Sequence, residues 1–147
     1  MTIGIFDPEG KNNNPFNNEP YSYEYKIVSK MWSNLPGYQY GEKFLKLLKK
    51  NDVVLIISAT GSGKSVLIPK FCLHYMDYKG LTIMTLPKKQ ITKNTAVFGA
   101  KTLDTQTGEY VGYQYRGESR KSDKTRLLYC TDGTIICLLY TSPSPRD

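Results

Sequence analysis

The spacing of apolar positions changes character along the chain. From Gly41 to Lys50 (GEKFLKLLKK), Phe44, Leu47 and Leu48 fall at i, i+3 and i+4 with lysines between them, which predicts a short amphipathic helix. Val53-Val54-Leu55-Ile56-Ile57 is instead an unbroken apolar, mostly β-branched run, which predicts a parallel strand covered on both faces. A Gly-rich turn at Thr60 to Gly63 leads into an apolar helical stretch, Lys64 to Met76, which Lys79-Gly80 ends. Pro69 lies inside that stretch, where its missing N–H should cost ~3 kcal/mol or bend the axis. Leu81 to Leu86 predicts a second buried strand, stopped by Pro87. Lys88 to Leu103 then predicts a helix, Tyr110 to Tyr115 a short strand, Gly117 to Lys124 a polar loop and Arg126 to Cys130 a further strand. Strands alternating with helices point to an α/β fold, a parallel sheet flanked by helices.

Upstream of these elements the pattern dissolves. Residues 8–20 (PEGKNNNPFNNEP) hold five Asn, three Pro and one Gly, residues that favour turns, so this stretch is expected to be a flexible leader. Tyr21 to Met31 predicts a short helix broken by Leu35-Pro36-Gly37. The expected organisation is therefore a leader and helix over 1–34 and a single domain from 35.

Composition narrows the class. With 147 residues the chain has room for one ordinary domain, and 39% hydrophobic against 22% charged residues is globular rather than disordered. No apolar run approaches the ~20 residues of a spanning helix, and Ile3 to Phe6 is too short for a signal-peptide core. Cys72, Cys130 and Cys137 are odd in number with no close pair, which indicates neither a disulfide framework nor a zinc knuckle. An intracellular protein (cytoplasm, nucleus or virion) without a membrane partner is expected. The net charge of +7 is uneven: residues 41–83 carry +4 and residues 84–130 carry +5, while both ends are slightly acidic. That distribution favours a phosphate ligand or a polyanionic partner. His74, the single histidine, lies on an apolar helix without evident partners and is read as a packing residue. Tyr113 and Tyr115 could stack on bases, but in a strand they are more often core residues or cross-strand pairs.

The most informative segment is Ser58-Ala59-Thr60-Gly61-Ser62-Gly63-Lys64-Ser65. A triphosphate needs several backbone N–H groups converging on its oxygens, and glycines let the chain curl tightly enough to present them. The following helix adds the positive end of its dipole. All eight residues are candidates for ATP binding. Lys64, the candidate catalytic residue, would reach the β and γ phosphates, and the Ser65 hydroxyl would ligate Mg²⁺. Ser58 stands where the usual pattern opens with Gly.

Four segments in order carry a resemblance. Thr60-Gly61-Ser62-Gly63-Lys64-Ser65, followed by Leu67-Ile68-Pro69-Lys70-Phe71, resembles the first motif of DEAH-box (superfamily 2) RNA helicases, where a proline also follows the loop. Leu86-Pro87-Lys88-Lys89 is similar to their second motif, typically a Pro followed by two Arg. Val111-Gly112-Tyr113-Gln114-Tyr115-Arg116 resembles their Val-Gly-Tyr-x-x-Arg segment, and Thr131-Asp132-Gly133 their Thr-Asp-Gly motif. Together these span about residues 35–136; the Asn-rich leader and the Tyr113 to Gly117 variant look more like members found in large DNA viruses. The resemblance implies a truncated P-loop NTPase (RecA-like) domain that binds ATP with Mg and one strand of RNA or DNA. It assigns Pro87, Lys88, Lys89, Arg116, Thr131, Asp132 and Gly133 to the nucleic-acid backbone, a role suited to cations and N–H groups. Lys in place of Arg keeps the charge and loses the bidentate fork. Phe98 stands about where the family has an Arg stacked on adenine, and its ring could stack there too.

Hydrolysis in this family also needs an Asp-Glu-x-His motif on a later strand and a second motor domain. The 147 residues contain no Asp-Glu dipeptide, so they are expected to be inactive by themselves, and the missing acidic strand is expected to leave an apolar sheet edge open. Cys137 to Asp147 (CLLYTSPSPRD) resembles the in-frame translation of a transposase-type sequencing adapter, so 137–147 is expected to be a non-native tail. The rival reading is a small P-loop kinase or transferase using the same Gly63-Lys64-Ser65; a nucleotide-dependent binding module without turnover is a third.

Overall fold

The computed structural model describes residues 3–141, with side chains as far as residue 138. Four strands make one sheet: β1 (Thr82–Leu86), β2 (Val111–Tyr115), β3 (Glu118–Arg120) and β4 (Leu127–Thr131), in the order β1-β4-β2-β3. β4 runs parallel to both β1 and β2, while β3 is antiparallel to β2. The α/β class and the mostly parallel sheet are as expected. Burial follows strand position: Leu127 to Cys130 on the inner strand are all buried, whereas β1, expected to be a buried strand, is an edge strand that alternates between half-buried and exposed, with Ile83 and Thr85 exposed. Among the described residues, β1 pairs only with β4, so its other edge is open.

The helix α4 (Lys89–Thr102) crosses from β1 to β2 and covers one face of the sheet. Small residues let it sit close: a Cβ at Gly99 would come within 2.6 Å of Tyr129 Oη. Ala96 and Ala100 join Leu73, Val111, Tyr113, Leu127 and Tyr129 in one buried cluster. A second cluster lies among α1 (Tyr23–Ser33), α2 (Gly41–Lys50) and α3 (Lys64–Tyr75), with Tyr25, Trp32, Phe44, Leu67 and Phe71 at its centre. Pro69 is accommodated inside α3 and is buried. Being six positions into the helix, it withdraws only the bond to the Ser65 carbonyl at the solvated end. The last helix, α5 (Asp132–Thr141), starts inside the Thr-Asp-Gly segment. The expectation for residues 142–147 of the tail lies outside the described residues.

Three further expectations are corrected. Val53 to Ile57 pairs with no strand: it carries no regular secondary structure, with Val53, Leu55 and Ile57 each more than 80% exposed. Its composition reports strand propensity, but propensity alone forms no strand without ladder bonds to a neighbour, and this run joins no ladder although the outer edge of β1 is open. The polar loop expected over 117–124 contains β3, which returns beside β2 through a two-residue turn, Arg116-Gly117. Its sequence (Glu-Ser-Arg) is short and polar because the strand is exposed along its whole length.

The leader is the third correction, because it is anchored. The Asp7 carboxylate accepts from the Lys11 and Asn12 amides at 2.9 and 2.8 Å, and Asn14 Nδ2 donates to the Leu103 carbonyl at 3.0 Å. Tyr78 and Tyr38 hold the two sides of Ile5, which is buried: Ile5 N–H donates to Tyr78 Oη at 3.0 Å, and Tyr38 Oη donates to the Ile5 carbonyl at 2.9 Å. Phe16 stacks on Tyr110 and meets Tyr78 edge-on. The asparagines do make turns; distant partners then pin those turns to the domain.

Candidate functional site

The phosphate-loop residues form a tight turn ahead of α3. Gly61 and Gly63 take φ of +86° and +97°, the left-handed region that glycine enters without a Cβ penalty. Gly63 is constrained twice over, since a Cβ there would sit 2.8 Å from Leu35 Cδ1. It is also the N-cap of α3, and no side chain caps that helix end. The first amides of α3 therefore lack both intrahelical carbonyls and a side-chain acceptor, and they point where an anion is favoured. Lys64 Nζ closes the turn on itself by donating to the Ser58 carbonyl at 2.9 Å. The Ser58 and Ser62 hydroxyls bond at 2.8 Å, and the Gly37 amide fixes the Ser62 carbonyl at 2.9 Å. Thr60, Lys64 and Ser65 are exposed. An uncapped helix start, an exposed ammonium and an accessible hydroxyl at the first turn fit a Mg-bound polyphosphate. Among the described residues, no group of three or more His, Cys, Asp or Glu side chains is arranged to hold a metal ion.

Beside the loop lies a cavity of about 530 Å³, walled by Phe44, Leu47, Val54, Ile56, Leu67 and Phe71, with Lys64 at its rim. Phe98 does not line it; that ring is partly exposed on α4.

The candidate nucleic-acid residues converge through strand register. Leu86 pairs with Thr131 in the parallel β1–β4 ladder, and Gln114 pairs with Cys130 in the β2–β4 ladder. Pro87-Lys88-Lys89, Arg116 and Thr131-Asp132-Gly133 thus all leave the carboxyl ends of three adjacent parallel strands. In open α/β sheets this end is where ligands bind. Lys88 is the extended N-cap of α4 and Lys89 its first residue. Pro87, Lys88, Lys89, Arg116, Asp132 and Gly133 are exposed, and Thr131 is half-buried with its Oγ1 2.9 Å from Thr134 Oγ1. A Cβ at Gly133 would meet nothing within 4 Å, so its open backbone is accessible rather than sterically required. The phosphate loop is not brought into this array by strand pairing, because the run before it joins no ladder.

Several contacts escaped the sequence reading. Tyr113 and Tyr115 stack on each other with centroids 5.7 Å apart, under Lys93 at 6.0 Å and Lys89 at 5.8 Å respectively. The cross-strand pairing expected of tyrosines is met by Tyr115, which faces Glu118. Lys70 is buried on α3 with its Nζ on the Val66 carbonyl at 2.7 Å, and burial pulls its pKa down to about 7. Its neighbours one turn away, Val66, Leu67 and Leu73, are apolar, but in a stretch apolar on most sides that spacing does not single out one buried face. His74 packs as expected, edge-on to Phe6 with Nδ1 3.2 Å from Tyr78 Oη, and desolvation lowers its pKa. A larger open cavity of about 720 Å³ borders α4 and the β2–β3 hairpin, where Lys93, Lys101 and Arg120 are matched by Glu24, Asp104 and Glu118.

The fold and site define a mostly parallel α/β domain with a glycine-rich turn ahead of α3. Among known proteins, the chain is 46% identical over 136 residues to a protein of Acanthamoeba polyphaga mimivirus provisionally named an ATP-dependent RNA helicase. The match covers 91% of this chain and 20% of that protein, so the chain spans about one fifth of the length of this curated relative. No protein-family model matches the chain. No helix among the described residues is long and apolar enough to cross a membrane.

Proposed function

We propose that this chain is the ATP-binding and strand-gripping portion of an ATP-dependent RNA or DNA helicase of the DEAH-like type. The observation that carries the reading is the 46% identity to the mimivirus protein over 136 residues, 91% of this chain. Ser58 to Ser65 would wrap the phosphates in backbone amides. Lys64 would leave the Ser58 carbonyl to neutralise the β and γ oxygens, and the Ser65 hydroxyl would hold Mg²⁺. The metal supplies charge neutralisation to the phosphates when bound. Pro87, Lys88, Lys89, Arg116, Thr131, Asp132 and Gly133 would track the backbone of a single strand, RNA or DNA, with little base reading. Turnover is assigned to the longer protein, since the 147 residues contain no Asp-Glu pair. An intracellular location follows from the same reading.

One titration series tests it. The chain should bind a labelled single-stranded oligonucleotide with an affinity that falls as salt rises, and Lys88→Ala with Lys89→Ala should lower both the affinity and the salt slope, by about 0.7 per lost contact. Lys64→Ala should abolish Mg·ATP binding and spare the oligonucleotide. Mg·ATP binding with no oligonucleotide binding at low salt would overturn the helicase reading in favour of a small P-loop kinase.

A further inference from the structure

The turn that carries Arg116 has a weak local design. Tyr115 and Glu118 are paired across β2 and β3, so the loop between them is Arg116-Gly117 alone. Gly117 has φ +100° and Arg116 does not take a positive φ, which is the type II pattern. Type II turns do not match the twist of a two-residue hairpin and splay its strands. β3 is only three residues long, all exposed, so its ladder has little with which to resist. Something else must hold the hairpin tip in place.

That something is a bridge from the hairpin to α4. One oxygen of the Glu118 carboxylate accepts from Tyr115 Oη, and the other lies 3.7 Å from Lys93 Nζ. Lys93 sits over the Tyr113 ring and Lys89 over the Tyr115 ring, so two rungs of helix meet two rungs of strand. The spacings agree, since four residues of helix rise ~6 Å and two residues of strand ~6.6 Å. Lys89 thereby lies over the tyrosine that directly precedes Arg116 in the chain. The hydrogen bond keeps both partners in their binding forms: it holds the Glu118 carboxyl below its usual range and pushes the Tyr115 phenol up to about 12. A carboxylate beside a phosphate path repels the ligand, so its presence there calls for a role other than contact.

We propose that Glu118 is a positioning residue that, through Tyr115 and Lys93, fixes the Arg116-Gly117 turn beside α4 so that Arg116 and Lys89 engage the same nucleic-acid backbone. The inference rests on the nucleic-acid reading of the preceding subsection, and its test separates the two. Binding of a labelled single-stranded oligonucleotide to the full chain is measured at several salt concentrations for Glu118→Ala, Glu118→Gln, Tyr115→Phe, Arg116→Ala and the Arg116→Ala/Glu118→Ala pair. Removing a negative charge should tighten binding if Glu118 acts only through the field. A positioning role predicts the opposite sign: Glu118→Ala weakens binding about three- to tenfold and lowers the salt slope by about 0.7, the signature of one lost phosphate contact. Glu118→Gln, which still accepts from Tyr115, should recover part of the loss. Tyr115→Phe keeps the ring beneath Lys89 and should weaken binding too; it preserves the test should Glu118→Ala fail to fold. On the Arg116→Ala background, Glu118→Ala should add nothing. Unchanged or tighter binding by Glu118→Ala, or a loss that adds in full to that of Arg116→Ala, overturns the positioning role. Arg116→Ala binding like the unaltered chain overturns the assignment of Arg116 as well.

Discussion

Residues 3–20 are rich in asparagine and proline, yet they bury Ile5, Asp7 and Asn14 to 3% exposure or less. Val53 to Ile57 is wholly apolar, yet Val53, Leu55 and Ile57 are 83–87% exposed. The difference lies in where each segment's backbone groups find partners. The polar segment carries its own: Asp7 caps two amides, Asn14 reaches the Leu103 carbonyl, and Tyr25, Tyr38 and Tyr78 reach back to its main chain. An extended apolar run brings no such groups and depends on another strand's edge for every bond. Hydrophobicity therefore decides whether burial is rewarded, and hydrogen-bond supply decides whether it can occur.

The largest effect that would break this comparison is deletion of residues 1–20. Losing Ile5, Phe6, Phe16 and the Asp7 and Asn14 bonds should cost on the order of 5 kcal/mol, enough to abolish a cooperative thermal transition. A truncated chain that melts like the full one would mean the anchoring contributes nothing. Next comes Lys70, buried on α3. Its folded pKa of about 7 lies below the ~10.4 of an unfolded lysine, so the unfolded state binds the extra proton between those values. Stability should rise with pH over that window at up to about 1.4 kcal/mol per unit, with the full penalty present below pH 7. Lys70→Met should raise stability by about 2–4 kcal/mol at pH 6, with the gain shrinking towards pH 10, as urea melts across pH would read. Asp7→Ala should cost about 2 kcal/mol by the same melts, since it leaves the Lys11 and Asn12 amides without their acceptor. Smallest is Leu55→Thr, expected within about 0.5 kcal/mol because the side chain is already in water. Less self-association in sedimentation should accompany it, whereas a loss of several kcal/mol would show that the run is buried in solution.

The helices α2 and α4 and the strands β1, β2 and β4 were legible because each carries its signal locally. Lysines separate the Phe44–Leu48 face, Pro87 stops β1, and the Leu127 to Cys130 run needs no side-chain partner to mark it as buried. β3 escaped because Glu-Ser-Arg carries no apolar alternation; the Arg116-Gly117 turn was its only sign. The glycine turn ahead of α3 was visible as a string of residue types, since Gly61 and Gly63 admit the positive φ such a turn needs. The Glu118–Tyr115–Lys93 bridge and the burial of Lys70 were not, because each depends on which face of one element meets another.

The sequence by itself determined the α/β class, the order of the main elements, the position of the glycine turn and the excess positive charge of the middle of the chain, all of which follow from short-range pattern and sterics. Only the tertiary structure decided which strands share edges, that the asparagine-rich segment is pinned and the Val53 run is not, and that three separate cationic or polar segments meet at one end of the sheet. Those outcomes depend on hydrogen-bond partners 70 to 90 residues away for the leader and on parallel register for the sheet. Neither quantity is encoded in any window of neighbouring residues.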